Sequence, residues 1–267
     1  MLVERRRAHP MLDLAMFRKP TTTGASVAVL ALGAGVFSLL LFLVLYLQNT
    51  LGYDALEAGL RLLPFTVAAF LAAGVGARLG ERLPLRSVIA TGLGIAGAGI
   101  LLMRNVQPGG EWQDLLAGFI VAGFGVGMLN PTIASAALGV VGAARAGMAS
   151  GLNSTFRLAG VSIGVAALGT LFKDTVRAEV ADVLGGARGE RVADALASGE
   201  AQGTLASLPP GQRQAIAQAA EQGFVAGLDA VMLAGALICF AGGALALALV
   251  RRRDFVAEGE ALAPAAA

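Results

Sequence analysis

Cut at its charged side chains, the sequence leaves long uncharged runs at 24–47, 62–77, 87–103, 115–144 and 230–250, and a further run at 147–172 interrupted only by Arg157. An α-helix rises about 1.5 Å per residue, so about 20 apolar residues cross a hydrocarbon layer ~30 Å thick. Each run can span, the second and third only just. Composition agrees, since 56% of residues are hydrophobic and 14% charged, well outside soluble usage. The predicted fold is an all-α membrane protein, with six transmembrane helices forming one bundle.

Orientation follows from lysine and arginine in the short flanks. Arg5, Arg6, Arg7, Arg18 and Lys19 precede the first run, and Arg78, Arg82 and Arg86 lie between the second and third. Arg145 lies between the fourth and fifth, and Arg251, Arg252 and Arg253 follow the sixth. On the opposite side "QNTLGYDALE" has no such residue and "RNVQPGGEWQD" has only Arg104. The expected organisation is a cytoplasmic N-terminal segment (1–23), five transmembrane helices (24–172), an extracytoplasmic loop (173–222), a sixth transmembrane helix (223–250) and a cytoplasmic tail (251–267). The place implied is a bacterial-type inner (plasma) membrane, crossed several times with both termini cytoplasmic. Residues 1–23 contain no apolar core of a cleavable leader, so the first span is expected to act as its own insertion signal. Within the loop, "DTVRAEVADVL" and "GQRQAIAQAAEQ" carry apolar residues at helical spacing, which predicts two or three short amphipathic surface helices.

Several chemistries are excluded. One histidine, His9, and one cysteine, Cys239, cannot build a metal site, and no cofactor is expected. The sequence offers neither a Ser/His/Asp set nor a phosphate loop, because its glycine runs lie inside hydrophobic spans, so an enzyme is not expected. No nucleic-acid partner is expected; the lipid bilayer is. Cys239 reads as a small packing residue and Trp112 as an interfacial anchor. In lipid, helices associate through close backbone packing, which small residues permit. Gly33, Gly35, "GLGIAGAG", "GFGVG", Gly160 and Gly164 are therefore assigned to interhelical faces. Pro64 and Pro131 should kink or loosen their spans, a structural or gating role.

Arg157 is the exception among the spans. Ser150, Asn153, Arg157, Gly160 and Gly164 recur at three- and four-residue steps, and this polar, small face should turn into the bundle. About 20 residues back from Phe172 place the inner membrane boundary near Asn153, with Arg157 roughly 6 Å inside it. Two roles fit a permanent cation there: a cytoplasmic-side clamp donating to helix-end carbonyls or a carboxylate, or direct contact with a substrate or proton path together with Asn153. Phe37, Phe42 and Tyr46 in the first span suit aromatic contact with apolar or cationic compounds, and suit the core equally.

The succession "PMLDLAMFRKP", "YLQNTLGYDALEAGLRLLP" and "GFGVGMLNPTIASAALGVVGAARAGMASGLNSTFRLAGVSIGVAALGTLF" resembles the C-terminal half of the fourteen-span drug:proton antiporters of the major facilitator superfamily, the EmrB/QacA type. Gly151, Leu152, Asn153, Thr155 and Arg157 match the family pattern of the fifth span, whereas Leu158 and Ala159 depart from its Arg-Gln and Gly-Gly parts. "ERLPLR" resembles a degenerate copy of the superfamily's acidic-Arg-x-Gly-x-Arg loop, with Pro84 where glycine is usual; this implies that Glu81, Arg82 and Arg86 latch helices by charge pairs on the inner side. The resemblance implies transmembrane transport: the C-terminal half of a multidrug efflux transporter, taking small hydrophobic or cationic substrates and not active alone. Its partner would be an N-terminal six-helix bundle or another copy. The alternative is a half-size membrane protein that works as a homo- or hetero-oligomer, or a non-transporting membrane partner.

Overall fold

The computed structural model of the chain describes residues 20–104, 106–107, 109–139, 146–184 and 210–251. Six helices in them are long and apolar enough to cross a membrane. These are α1 (Pro20–Thr50), α2 (Ala55–Arg82), α3 (Leu85–Leu102), α4 (Leu116–Gly139), α5 (Ala146–Leu184) and α6 (Pro210–Leu249). The all-helical bundle expected from the uncharged runs is thus the observed fold. The basic residues of the N-terminal segment, His9, Arg145, Arg252, Arg253 and the middle of the long loop lie outside the described residues.

Local signals explain where the helices start. Pro20 opens α1, where its missing N–H costs nothing. Asp54 caps α2 by accepting from the Glu57 N–H at 2.7 Å, while the Glu57 carboxylate accepts from the Asp54 N–H at 3.3 Å. This reciprocal box starts the helix seven residues before the uncharged run. Glu111 and Asp114 form a second such box ahead of α4, around a short 3₁₀ turn at Trp112–Leu115. Leu83 and Pro84 alone separate α2 from α3.

The loop at 173–222 differs from expectation in its helices. Both amphipathic stretches are helical, but as unbroken continuations of α5 and α6 rather than as separate surface helices. No glycine or proline interrupts the chain between Phe172 and Leu184. Val176 and Val180 on the α5 extension close over Ala219 on that of α6, a small apolar cluster that supports both beyond the main core.

In packing order, α4 lies between α2 and α3, α6 lies between α3 and α5, and α1 rests on α5 and α6. The "GFGVG" stretch serves two neighbours at once. Gly123 and Gly127, one turn apart, face the Phe65 and Ala69 carbonyls of α2, while Gly125 meets Ala96 and Gly92 of α3. Gly35 of α1 lies against Gly235 and Cys239 of α6, and Cys239 is buried as a packing residue. The small residues therefore do mark close helix contacts, as lipid-phase packing requires.

The two prolines act differently. Pro64 sits in the first turn after a break at Leu62, so α2 consists of a short segment, Ala55–Arg61, and a long one, Leu63–Arg82. Pro131 lies inside α4 without ending it. It has no N–H to give the Gly127 carbonyl, and nearby Thr132 and Ser135 hydroxyls donate to the Met128 and Pro131 carbonyls, each at 2.9 Å. Helix α1 contains two π segments, Gly33–Phe37 and Tyr46–Thr50, with no counterpart in the sequence patterns.

Candidate functional site

Burial is unevenly shared among the helices. In α1, 67% of the most apolar window is buried and in α4 61%, whereas in α2 and α5 the share is 17%. Leu63, Val67, Phe70 and Leu71 on α2, and Leu158, Ile163 and Leu171 on α5, are exposed. These helices expose most of their apolar surface to whatever surrounds the bundle.

Arg157 lies on α5 where that helix crosses the first π segment of α1. Gly160 faces Leu30 and Gly164 faces Ala34, so the two helices run parallel and in a fixed register. A Cβ on Gly33 would stand 2.5 Å from the Arg157 carbonyl oxygen, so only glycine allows this approach. The reciprocal contacts of Gly160 with Leu30 and of Gly33 with Arg157 set Arg157 about level with Leu30, nine residues or ~14 Å along α1 from Thr21. Thr21 marks the end of the bundle nearer the termini, where its hydroxyl exchanges hydrogen bonds with the Arg251 backbone at 3.1 and 2.8 Å.

The face expected to turn inward does so over half its length. Gly160 and Gly164 are buried against α1, Asn153 and Arg157 are half-buried, and Ser150 is exposed. Arg157 Nε is shielded from solvent without a hydrogen-bond partner. A buried, unsatisfied donor is costly, and a helix-clamping role would have given it an acceptor. π segments interrupt helices frequently at functional sites, and this one adjoins the half-buried cation.

The three aromatic candidates do not share one environment. Phe37 is half-buried, while Phe42 and Tyr46 belong to the core. Phe42 meets Phe172 at 5.5 Å between centroids, Tyr46 meets Phe224 at 6.3 Å, and Phe172 meets Phe224 edge-on at 4.9 Å. This four-ring cluster joins α1, α5 and α6 near the end opposite the termini, hereafter the distal end. At the other end Glu81, Arg82 and Arg86 are exposed, and none of them is paired among the described residues.

The distal end holds groups that sequence reasoning passed over. Arg104, just beyond α3, donates to Asp229 of α6 through Nε at 3.0 Å and Nη2 at 2.6 Å. The bond to Asp229 raises the guanidinium pKa further above its ordinary value. Gly109 in the α3–α4 connection donates its N–H to the Glu221 carboxylate at 2.9 Å. Arg61 lies 3.4 Å over the Tyr53 ring and 5.9 Å from that of Trp112. The four-residue spacing of Tyr53, Glu57 and Arg61 was the available signal for this stack.

Comparison with known proteins fixes the family. The profile of the Major Facilitator Superfamily matches residues 4–174. The chain belongs to that superfamily. Its members are membrane transporters rather than enzymes. Among curated relatives, the multidrug efflux pump LfrA of Mycolicibacterium smegmatis is 28% identical over 250 residues, 93% of this chain and 49% of LfrA. The multidrug resistance protein Stp of Mycobacterium tuberculosis is 33% identical over 169 residues, 63% of this chain and 31% of Stp. A probable actinorhodin transporter of Streptomyces coelicolor is 34% identical over 177 residues, 63% of this chain and 30% of the transporter. The superfamily chain described here thus spans half or less of these relatives.

Proposed function

We propose that this chain supplies the C-terminal one of two six-helix bundles in a multidrug efflux transporter of the fourteen-span, EmrB/QacA type. Export is driven by proton antiport, and the chain is inactive by itself. The observation that carries this reading is the exposure of α2 and α5, the two helices that the bundle buries least. A second bundle packed against both would cover these exposed faces and enclose a substrate path between the two. Transporters of this construction rock one bundle against the other around a site near the membrane midplane.

Within this bundle, Asn153 and Arg157 are the polar groups proposed to meet substrate or its counter-charge, and Phe37, farther along α1, remains a proposed aromatic contact. The unpaired Nε of Arg157 supports a ligand role over a clamp. Phe42 and Tyr46 act as core, holding α1 against α5 and α6. Glu81, Arg82 and Arg86 remain proposed as an inner-side latch to the other bundle, and Pro64 and Pro131 as points of bending. Asp229 is engaged by Arg104, so the proton-carrying carboxylate is assigned to the partner bundle. Substrates are small hydrophobic or organic cationic compounds.

The test is a chimera in which this chain replaces the stretch of LfrA that it matches, expressed in a drug-sensitive host. Energy-dependent dye export and restored resistance are expected. A chimera that reaches the membrane and folds, yet exports nothing, refutes the assignment.

A further inference from the structure

The distal stack of Arg61 on Tyr53 and Trp112 has the construction of a binding site already filled from within. Each ring is fixed by its own helix start: Tyr53 directly precedes the Asp54 cap of α2, and Trp112 directly follows the Glu111 cap ahead of α4. The two helix starts thus bring together two half-buried rings from segments far apart in sequence. A cation within about 6 Å of an aromatic centroid is attracted by the ring face, and the guanidinium satisfies that limit for both rings.

The surrounding charge favours cations more generally. Asp54, Glu57, Glu111 and Asp114 are exposed carboxylates in the two segments that supply the rings, and Arg61 is the cation those segments bring. Without Arg61 the site would be two rings under a negative field. The hold on Arg61 is also incomplete: Nη1 donates to the Glu57 carbonyl at 3.1 Å, but the buried Nε has no partner. An incompletely satisfied side chain on the rim of a helix can be displaced at little cost by a better-fitting ligand.

We propose that Tyr53 and Trp112 form a distal binding site for quaternary ammonium and similar organic cations, occupied in this conformation by the tethered guanidinium of Arg61. The site is separate from the Arg157 crossing. It requires only the folded chain, so it does not depend on the transport reading above.

Trp112 is the single tryptophan of the chain and reports directly on the site. The experiment titrates purified protein in detergent with choline, and with its neutral isostere 3,3-dimethyl-1-butanol, following tryptophan fluorescence. Choline should give a saturable change that the alcohol does not. In Arg61→Gln the resident cation is gone, and the choline Kd should fall about threefold to thirtyfold, the range that one freed cation–π contact supplies. Adding Tyr53→Leu to Arg61→Gln should abolish that gain. If Arg61→Gln does not fold, Arg61→Lys, which keeps the charge but loses the planar stack, should give a smaller gain. Equal responses to choline and the alcohol, or a choline Kd unchanged in whichever Arg61 variant folds, would overturn the proposal.

Discussion

The Arg104–Asp229 pair offers a quantitative check on how the distal end is held. It joins the end of α3 to α6 by two hydrogen bonds of 3.0 and 2.6 Å, and its side chains are 30% and 29% exposed. Fully exposed pairs contribute about 0.2–1 kcal/mol, while breaking a fully buried one costs about 3–5 kcal/mol. Bidentate geometry at one-third exposure places the coupling between these limits but near the lower, at about 1–1.5 kcal/mol. The raised pKa of Arg104 favours its charged form, a contribution lost only as pH rises through that value, so the guanidinium is charged at every working pH. The perturbations are Arg104→Gln, Asp229→Asn and the double variant, read as a double-mutant cycle by unfolding in detergent at 0.05 and 1 M NaCl. For a chain of this size about 1 kcal/mol moves Tm by roughly 2–4 °C. At 1 M salt the Debye length is about 3 Å, so the coupling should shrink while the separate packing effects persist. Single effects that simply add, or a coupling indifferent to salt, would show that the pair does not hold α3 to α6.

Other expectations can be checked in the same preparations. Gly164→Val places a branched side chain where a Cβ already stands 2.6 Å from Ala34 Cα, and should destabilise by about 1–3 kcal/mol or more. Gly94→Ala, at a helical position with nothing within 4 Å, should be neutral or stabilise by up to about 1 kcal/mol in the same unfolding assay. For the topology, a cysteine at Ser198 should be modified by an impermeant thiol reagent from outside intact cells; labelling from the cytoplasmic side alone would reverse the assignment. In the LfrA chimera, Arg157→Ala should abolish substrate binding with little change in melting, and Arg157→Lys should retain part of it. A large loss of stability with binding intact would return Arg157 to the role of a clamp.

The spans were legible because a charge in hydrocarbon is so costly that uncharged runs mark helices directly. The glycine faces were legible for a related reason: close helix approach in lipid needs small residues, and "GFGVG" meets α2 and α3 as its spacing requires. Cys239 was read correctly as a packing residue. The helix extensions were harder to see, because the same amphipathic pattern describes a separate surface helix and the continuation of a span. What decides is the absence of a breaker after Phe172 and the Val176, Val180 and Ala219 contact.

The candidate site was legible in part. Arg157 announces itself by charge. Its missing acceptor and the adjoining π segment depend on the register between α1 and α5, which no local pattern encodes. Phe42 and Tyr46 suited site and core equally in the sequence, and their ring contacts with Phe172 and Phe224, distant in sequence, could not be read there. Arg61 was overlooked because it stands at the edge of an uncharged run, where a cation serves as a boundary marker. Its contact with Trp112 joins positions 51 residues apart.

This bundle is proposed to export only when paired with a second one. The direct measurement is proton-driven dye export by the purified 267-residue chain, reconstituted alone in proteoliposomes with an imposed pH gradient. The expected signal is no greater than that of empty vesicles. Gradient-dependent export by the chain alone, abolished when the gradient is collapsed, would contradict it and establish a transporter built from copies of this one bundle.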